Sequence, residues 1–154
     1  MVYTISEKKV IDEIKKLLKA EFSQSGKAKF DVESYPISMN DYKLKNANGC
    51  LLIKELGMST NFVNDDNGYF YYDKFAWSII NVGILILFQK SYIRQDRVTE
   101  ISEVCDRVRL CLQSNSIFNK NLYVTEMDES VYDADKNWYY RTINVSFPYN
   151  LEVR

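Results

Sequence analysis

The sequence predicts an α+β fold: a mainly antiparallel sheet of about four to five strands, with two helices packed on one face. Three observations predict it. Two stretches repeat apolar residues at three-four spacing, the pattern of amphipathic helices. Most other apolar residues fall in alternating or continuous runs, the pattern of strands. Turn-rich segments join the strand runs, which suits hairpins, and hairpin-linked strands with two amphipathic helices suit such a sheet. The predicted order is α-β-β-β-α-β-β, in one domain over residues 1–154, with a projecting hairpin at about 57–75.

The first helix spans residues 6–21. Val10, Ile11, Ile14, Leu17 and Leu18 form its apolar stripe, and Lys8, Lys9, Glu13, Lys15, Lys16 and Lys19 its wet face. Thr4 with Glu7, or Ser6, caps its start. A strand follows at about Ala28–Ser34, where Phe30 and Val32 alternate with Asp31 and Glu33. Pro36 stops it, having no N–H for a ladder. Residues 37–48 are polar and irregular. Cys50–Leu56 is the second strand, and its run Cys50-Leu51-Leu52-Ile53 predicts burial on both faces.

The segment Asn64-Asp65-Asp66-Asn67-Gly68 is the strongest turn signal in the chain. A long strand run, Tyr69–Lys90, comes after it. Phe75, Trp77, Ile79, Leu85 and Leu87 fall on one side; Ala76, Ile80, Val82, Ile84, Ile86 and Phe88 fall on the other. Asn81 and Gly83, on the first side, mark a bend or bulge. Asp96 caps a second helix at about 97–114, striped by Val98, Ile101, Val104, Cys105, Val108, Cys111 and Leu112. Two strands close the chain, Leu122–Met127 and Asn137–Pro148. In the last, Tyr139, Arg141, Ile143, Val145 and Phe147 alternate with Trp138, Tyr140, Thr142, Asn144 and Ser146.

Composition narrows the function. The 154 residues carry 20 Lys and Arg against 21 Asp and Glu, a net charge of −1, without the basic surplus of a general nucleic-acid binder. No histidine is present, which excludes Ser-His and Cys-His nucleophilic pairs. Cys50, Cys105 and Cys111 lack the spacing of a zinc site or a disulfide framework and read as small buried hydrophobes. The N-terminus runs into a charged segment rather than a signal peptide, and the most apolar stretch, Phe75–Phe88, is shorter than the roughly 20 residues a membrane helix needs. A calcium loop around Gly68 fails, because Val63 and Lys74 stand at its two end ligand positions. The acids Glu126, Asp128, Glu129, Asp133 and Asp135 read as a solvated loop. No glycine-rich phosphate loop occurs. No catalytic, cofactor or metal residue is therefore expected.

The aromatic residues are the most informative feature. Tyr69, Phe70, Tyr71 and Tyr72 follow the 64–68 turn, with Phe62 before it. Consecutive aromatics on a strand cannot all face one core, so some pack on their own hairpin or meet another chain. Trp138 and Tyr140 raise the same question on the last strand. These seven residues are the candidates for an oligomer interface.

Several segments together resemble the small tail-completion proteins of Mu-like contractile-tailed phages, whose order of elements is similar to that of tail terminators. They are Val10–Leu18, Phe30-Asp31-Val32-Glu33-Ser34-Tyr35-Pro36, Gly49-Cys50-Leu51-Leu52-Ile53, Ile84-Leu85-Ile86-Leu87-Phe88, Val104–Leu112 and Trp138-Tyr139-Tyr140-Arg141. The resemblance implies a structural virion protein with no enzyme activity, made in the host cytoplasm and placed in the tail. Copies would form a six-fold ring at the head-proximal end of the tail tube, stop tube growth and offer a surface for head joining. The implied partners are other copies, the tail tube protein, and the sheath and head-completion proteins. Two other readings stay open: a head-completion or connector adaptor of the same particle, and a His-free metal-dependent nuclease built on Asp and Glu.

Overall fold

A computed structural model describes the backbone of residues 5–62, 75–93 and 96–152, and the side chains of these except 60–62, 75–77, 97, 98 and 150–152. Helix α1 (Glu7–Glu21) starts at Ser6, whose Oγ accepts from the Lys9 N–H at 3.2 Å. Its stripe buries Val10, Ile14 and Leu18 completely, with Ile11 and Leu17 packed beside them. Strands β1 (Asp31–Ser34), β2 (Gly49–Phe62) and β3 (Phe75–Gln89) follow, then helix α2 (Arg97–Gln113). Asp96 precedes α2; its carboxylate accepts from the Thr99 hydroxyl at 2.7 Å. The chain continues through β4 (Ser116–Ile117), β5 (Lys120–Asn121), β6 (Tyr123–Met127), β7 (Val131–Asp133) and β8 (Trp138–Glu152).

The main sheet has the order β1-β2-β3-β8-β6, with β7 also paired to β8. Every pairing in it is antiparallel except β1 with β2. Both helices cover one face. Leu51 and Ile53 of β2, Ile80, Val82, Ile84, Ile86 and Phe88 of β3, and Ile143, Val145 and Phe147 of β8 meet the helical stripes there. The alternation read from the sequence for β3 and β8 assigns these residues to one side, and the structure places them so.

Three expectations need correction. The strand count exceeds four to five: six strands form the main sheet, and β4 with β5 forms a separate hairpin among the described residues. The additional strands β4, β5 and β7 are two or three residues long, too short to show a period of two. The first strand begins at Asp31 rather than Ala28 and runs parallel to β2, in register Asp31↔Cys50 to Ser34↔Ile53. Finally, the irregularity near Asn81 belongs to the opposite strand. The β2–β3 register shifts between Glu55 and Met58, and Gly57 in that bulge has φ +98°.

Strands β2 and β3 both run longer than the edge strands. β1 stops at the level of Ile53 and β6 at the level of Ser146, while β2, β3 and β8 continue as a three-stranded ribbon to Phe62, Phe75 and Glu152. The arms of the expected 57–75 hairpin are thus paired through Phe62↔Ala76, and β8 accompanies them. The turn at 64–68 and the aromatics Tyr69, Phe70, Tyr71 and Tyr72 lie outside the described residues.

Candidate functional site

The parallel pairing of β1 with β2 decides what happens on the other sheet face. Two parallel neighbours need a crossover of a dozen or more residues. Here the connection is residues 35–48, and it crosses the face the helices leave open. It is tied down at both ends. The Tyr35 N–H donates to the Ile53 carbonyl at 2.9 Å, continuing the β1–β2 pairing direction. Asn48 donates through Nδ2 to the Lys29 carbonyl at 2.9 Å, and its carbonyl accepts from the Gln89 N–H at 2.9 Å. Gln89 Nε2 also donates to the carbonyls of Leu44 and Asn46, at 3.4 and 3.3 Å. The Tyr42 hydroxyl donates to Glu33 at 3.2 Å.

Under this crossover lies a second, smaller apolar cluster. Cys50, Leu52, Leu87 and Trp138 are buried, and Tyr35, Met39, Tyr42, Leu44, Leu85 and Tyr140 pack against them. The Cys50-Leu51-Leu52-Ile53 run is therefore buried on both faces, as its unbroken hydrophobicity predicts. The Tyr42 ring lies 6.3 Å from Trp138, centroid to centroid. Burial pushes the Cys50 thiol up to about 12, and pushes the Tyr42 hydroxyl up as well. Burial also raises Cys105 and Cys111 to about 11. All three thiols stay protonated near neutral pH, so none is poised as a nucleophile.

The crossover covers only part of the open face. Beside it lies a groove of about 460 Å³, of a size that ordinarily takes a ligand or a partner's side chains. Leu56, Gly83, Leu85, Leu87, Tyr140 and Thr142 form the floor, drawn from β2, β3 and β8. Tyr35, Met39 and Asn40 form the crossover wall; Asp133, Lys136 and Trp138 close the end. Gly83 has a packing reason: a Cβ there would come 3.2 Å from the Leu56 side chain, which folds over it. Leu56 itself is 46 % exposed.

Two cations rim the groove. Lys54 Nζ sits 4.7 Å from the Tyr35 ring centroid. Lys136 Nζ sits 6.0 Å from the Trp138 ring centroid and donates to the Asn40 carbonyl. Neither has a carboxylate partner among the described residues. The one acid on the wall, Asp133, uses its Oδ1 to accept from the N–H groups of Asp135 and Lys136, at 3.0 and 3.2 Å.

The sequence candidates divide as follows. Trp138 and Tyr140 lie on the open face at the groove, and Trp138 is only 6 % exposed, so most of its ring is covered by its own chain. Phe62 ends β2; its side chain, like Tyr69, Phe70, Tyr71 and Tyr72, lies outside the described residues. Lys54, Leu56, Met39, Tyr42 and Lys136 escaped the sequence reading. A signal existed for Met39 and Tyr42: with Leu44 they are spaced apolar residues in an otherwise polar loop. The acids considered for a metal are dispersed. Glu126 accepts from Asn144 Nδ2 at 3.3 Å, Asp133 holds its own turn, and among the described residues no three Asp, Glu, Cys or His side chains converge to hold a metal ion. No described helix is long and apolar enough to cross a membrane. No protein-family model matches the chain, and a search of curated proteins also finds no match.

Proposed function

We propose that the chain is a structural subunit of a phage tail particle. Copies form a six-fold ring at the head-proximal end of the tail tube, end tube growth and present the head-joining surface. One observation carries the reading: each protomer has two unlike surfaces suited to assembly. One is the β2-β3-β8 ribbon leading to the aromatic segment at 62–72, and the other is the apolar groove on the open sheet face. A closed ring requires two different, complementary patches on every subunit. The resemblance of the segments from Val10 to Arg141 to tail-completion proteins of Mu-like phages supports the same role. So does the α+β architecture, with two helices sealing one face of a largely antiparallel sheet. The partners are other copies, the tail tube protein, and the sheath and head-completion proteins of a virion assembled in a bacterial cytoplasm.

Electron microscopy of the purified protein mixed with tail tubes tests this. Rings or capped tube ends are the expected result. Bare ends at saturating protein, together with a monomer by light scattering at high concentration, would overturn it. Replacing Phe70 and Tyr72 with Ser should weaken assembly while leaving the melting temperature nearly unchanged. Loss of both together would place those rings in the core instead.

A further inference from the structure

We propose that residues 36–47 form a strap that lifts from the open sheet face as one unit, uncovering the Cys50 cluster while the helix-side core stays shut. Backbone bonds pin its ends, from the Tyr35 N–H to the Ile53 carbonyl and from the Gln89 N–H to the Asn48 carbonyl. Between those pins, among the described residues, the backbone bonds only to itself, from the Tyr42 N–H to the Met39 carbonyl at 3.2 Å. The bonds that tie the strap to its surroundings come from side chains. Gln89 Nε2 reaches the Leu44 and Asn46 carbonyls, Lys136 Nζ the Asn40 carbonyl, the Tyr42 hydroxyl Glu33, and Asn46 Nδ2 the Asp31 carboxylate at 3.3 Å. No residue from 36 to 47 is buried, whereas Cys50, Leu52, Leu87 and Trp138 beneath are at most 6 % exposed. A segment with few buried contacts of its own opens at a lower free energy than the core it rests on.

The cluster under the strap is also small. Among the described residues it has four buried members, against twenty-four in the helix-side core, so losing its cover forfeits little of the fold. The strap has open space on both flanks. The groove of about 460 Å³ borders it at Met39 and Asn40, and a second groove of about 480 Å³ borders it from Asn40 to Leu44. The two grooves share Asn40, Lys136 and Trp138, where the Lys136 ammonium holds the Asn40 carbonyl. Lifting the strap joins them into one trough and adds Cys50 and Leu52 to its apolar floor. The strap does not depend on the ring reading; on that reading, its opening widens the patch offered to a neighbour.

Two buried thiols report on the two sides of the sheet: Cys50 under the strap and Cys105 in the helix-side core. The full chain is treated with iodoacetamide at pH 8, in buffer and in urea below the unfolding transition, and each cysteine is followed by peptide mass spectrometry. Cys50 should react at least about tenfold faster than Cys105, because it needs only the strap to open. Its rate should hardly change with urea, since little surface is exposed, while the Cys105 rate should climb steeply with it. Lys136→Ala and Gln89→Ala each cut side-chain bonds to strap carbonyls. Each should raise the Cys50 rate about threefold or more and leave the Cys105 rate unchanged, which also shows that the variant is folded. Equal rates with equal urea dependence for the two thiols would overturn the strap, since Cys50 would then be uncovered only by global unfolding. Variants that speed both thiols alike, or a Cys50 rate that ignores both variants, would overturn it too. Labelling involves no tail tubes, so the strap and the ring stand or fall separately.

Discussion

A Cβ built on Gly49 would lie 2.0 Å from the Leu87 carbonyl oxygen and 2.8 Å from the Phe30 ring. The first contact is with backbone, which cannot swing aside. Gly49 opens β2 opposite Phe88, where the crossover rejoins the sheet, so the strain would act on both faces at once. Gly49→Ala should therefore cost about 3 kcal/mol, read as a lower urea midpoint with an unchanged slope. The three cysteines make a second prediction at this scale, with a definite sign. Burial holds Cys50 protonated up to about 12, and Cys105 and Cys111 up to about 11, against an ordinary thiol value of 9.0. Between about pH 9 and 11 the unfolded chain has lost these protons and the folded chain keeps them, so stability falls as pH rises through that window. Below pH 8 the thiols contribute no slope. Denaturation midpoints at pH 8 and pH 10.5 check this, and a flat profile would contradict it. The half-buried Cys111 should also react first with a thiol reagent at pH 8, ahead of the buried Cys50 and Cys105.

Arg107 ties α2 to the end of α1 and to the loop that precedes β1. From α2 it donates to the Ala28 carbonyl at 2.8 Å, to the Glu21 carbonyl at 3.1 Å and to the Glu21 carboxylate at 3.3 Å, with its guanidinium 4.2 Å from the Phe22 ring centroid. It is 18 % exposed and Glu21 is 17 % exposed, so these bonds are poorly screened. Arg107→Ala should destabilise by about 2 kcal/mol, and Arg107→Lys should recover little of it, because an ammonium cannot fork to three acceptors and stack on a ring. Thermal melts of the two variants decide it. The helices that Arg107 ties down were legible in the sequence, because a three-four stripe such as Val10, Ile14 and Leu18 records burial on one side directly. So were β3 and β8, whose alternation splits Ile80, Val82, Ile84 and Ile86 from Leu85 and Leu87. The parallel β1–β2 pair was not. Phe30-Asp31-Val32-Glu33 alternates identically whichever way its partner runs, and partner direction is a tertiary choice. The groove was hidden for the same reason. It exists because residues 35–48 cross the open face, and nothing local in that polar loop reports the crossing beyond Met39, Tyr42 and Leu44. Trp138 and Tyr140 were found as aromatics in excess of what one face needs, but not the lysines beside them.

Among the described residues, the helix-side core runs from the level of Phe88 down past Ile80 to Tyr149, which pairs with Ser78, and past that level the described backbone is the ribbon of β2, β3 and β8. On the proposed ring reading, stability and assembly should separate along the strand axis: the helix-covered part of the sheet would hold the fold, and residues past the far end of the ribbon would meet a neighbour. This gives the sharpest whole-molecule prediction. Replacing residues 64–74 by Asn-Gly shortens the β2–β3 connection to a two-residue turn, whose type I′ geometry suits the right-handed twist of paired strands. A shorter loop also closes at a slightly lower entropy cost. The shortened protein should melt within a few degrees of the full chain, sediment as a monomer where the full chain associates, and leave tail-tube ends uncapped. Retained capping would show that the aromatic segment is not the contact, and a collapse of the melting transition would show that 64–74 packs back onto its own sheet.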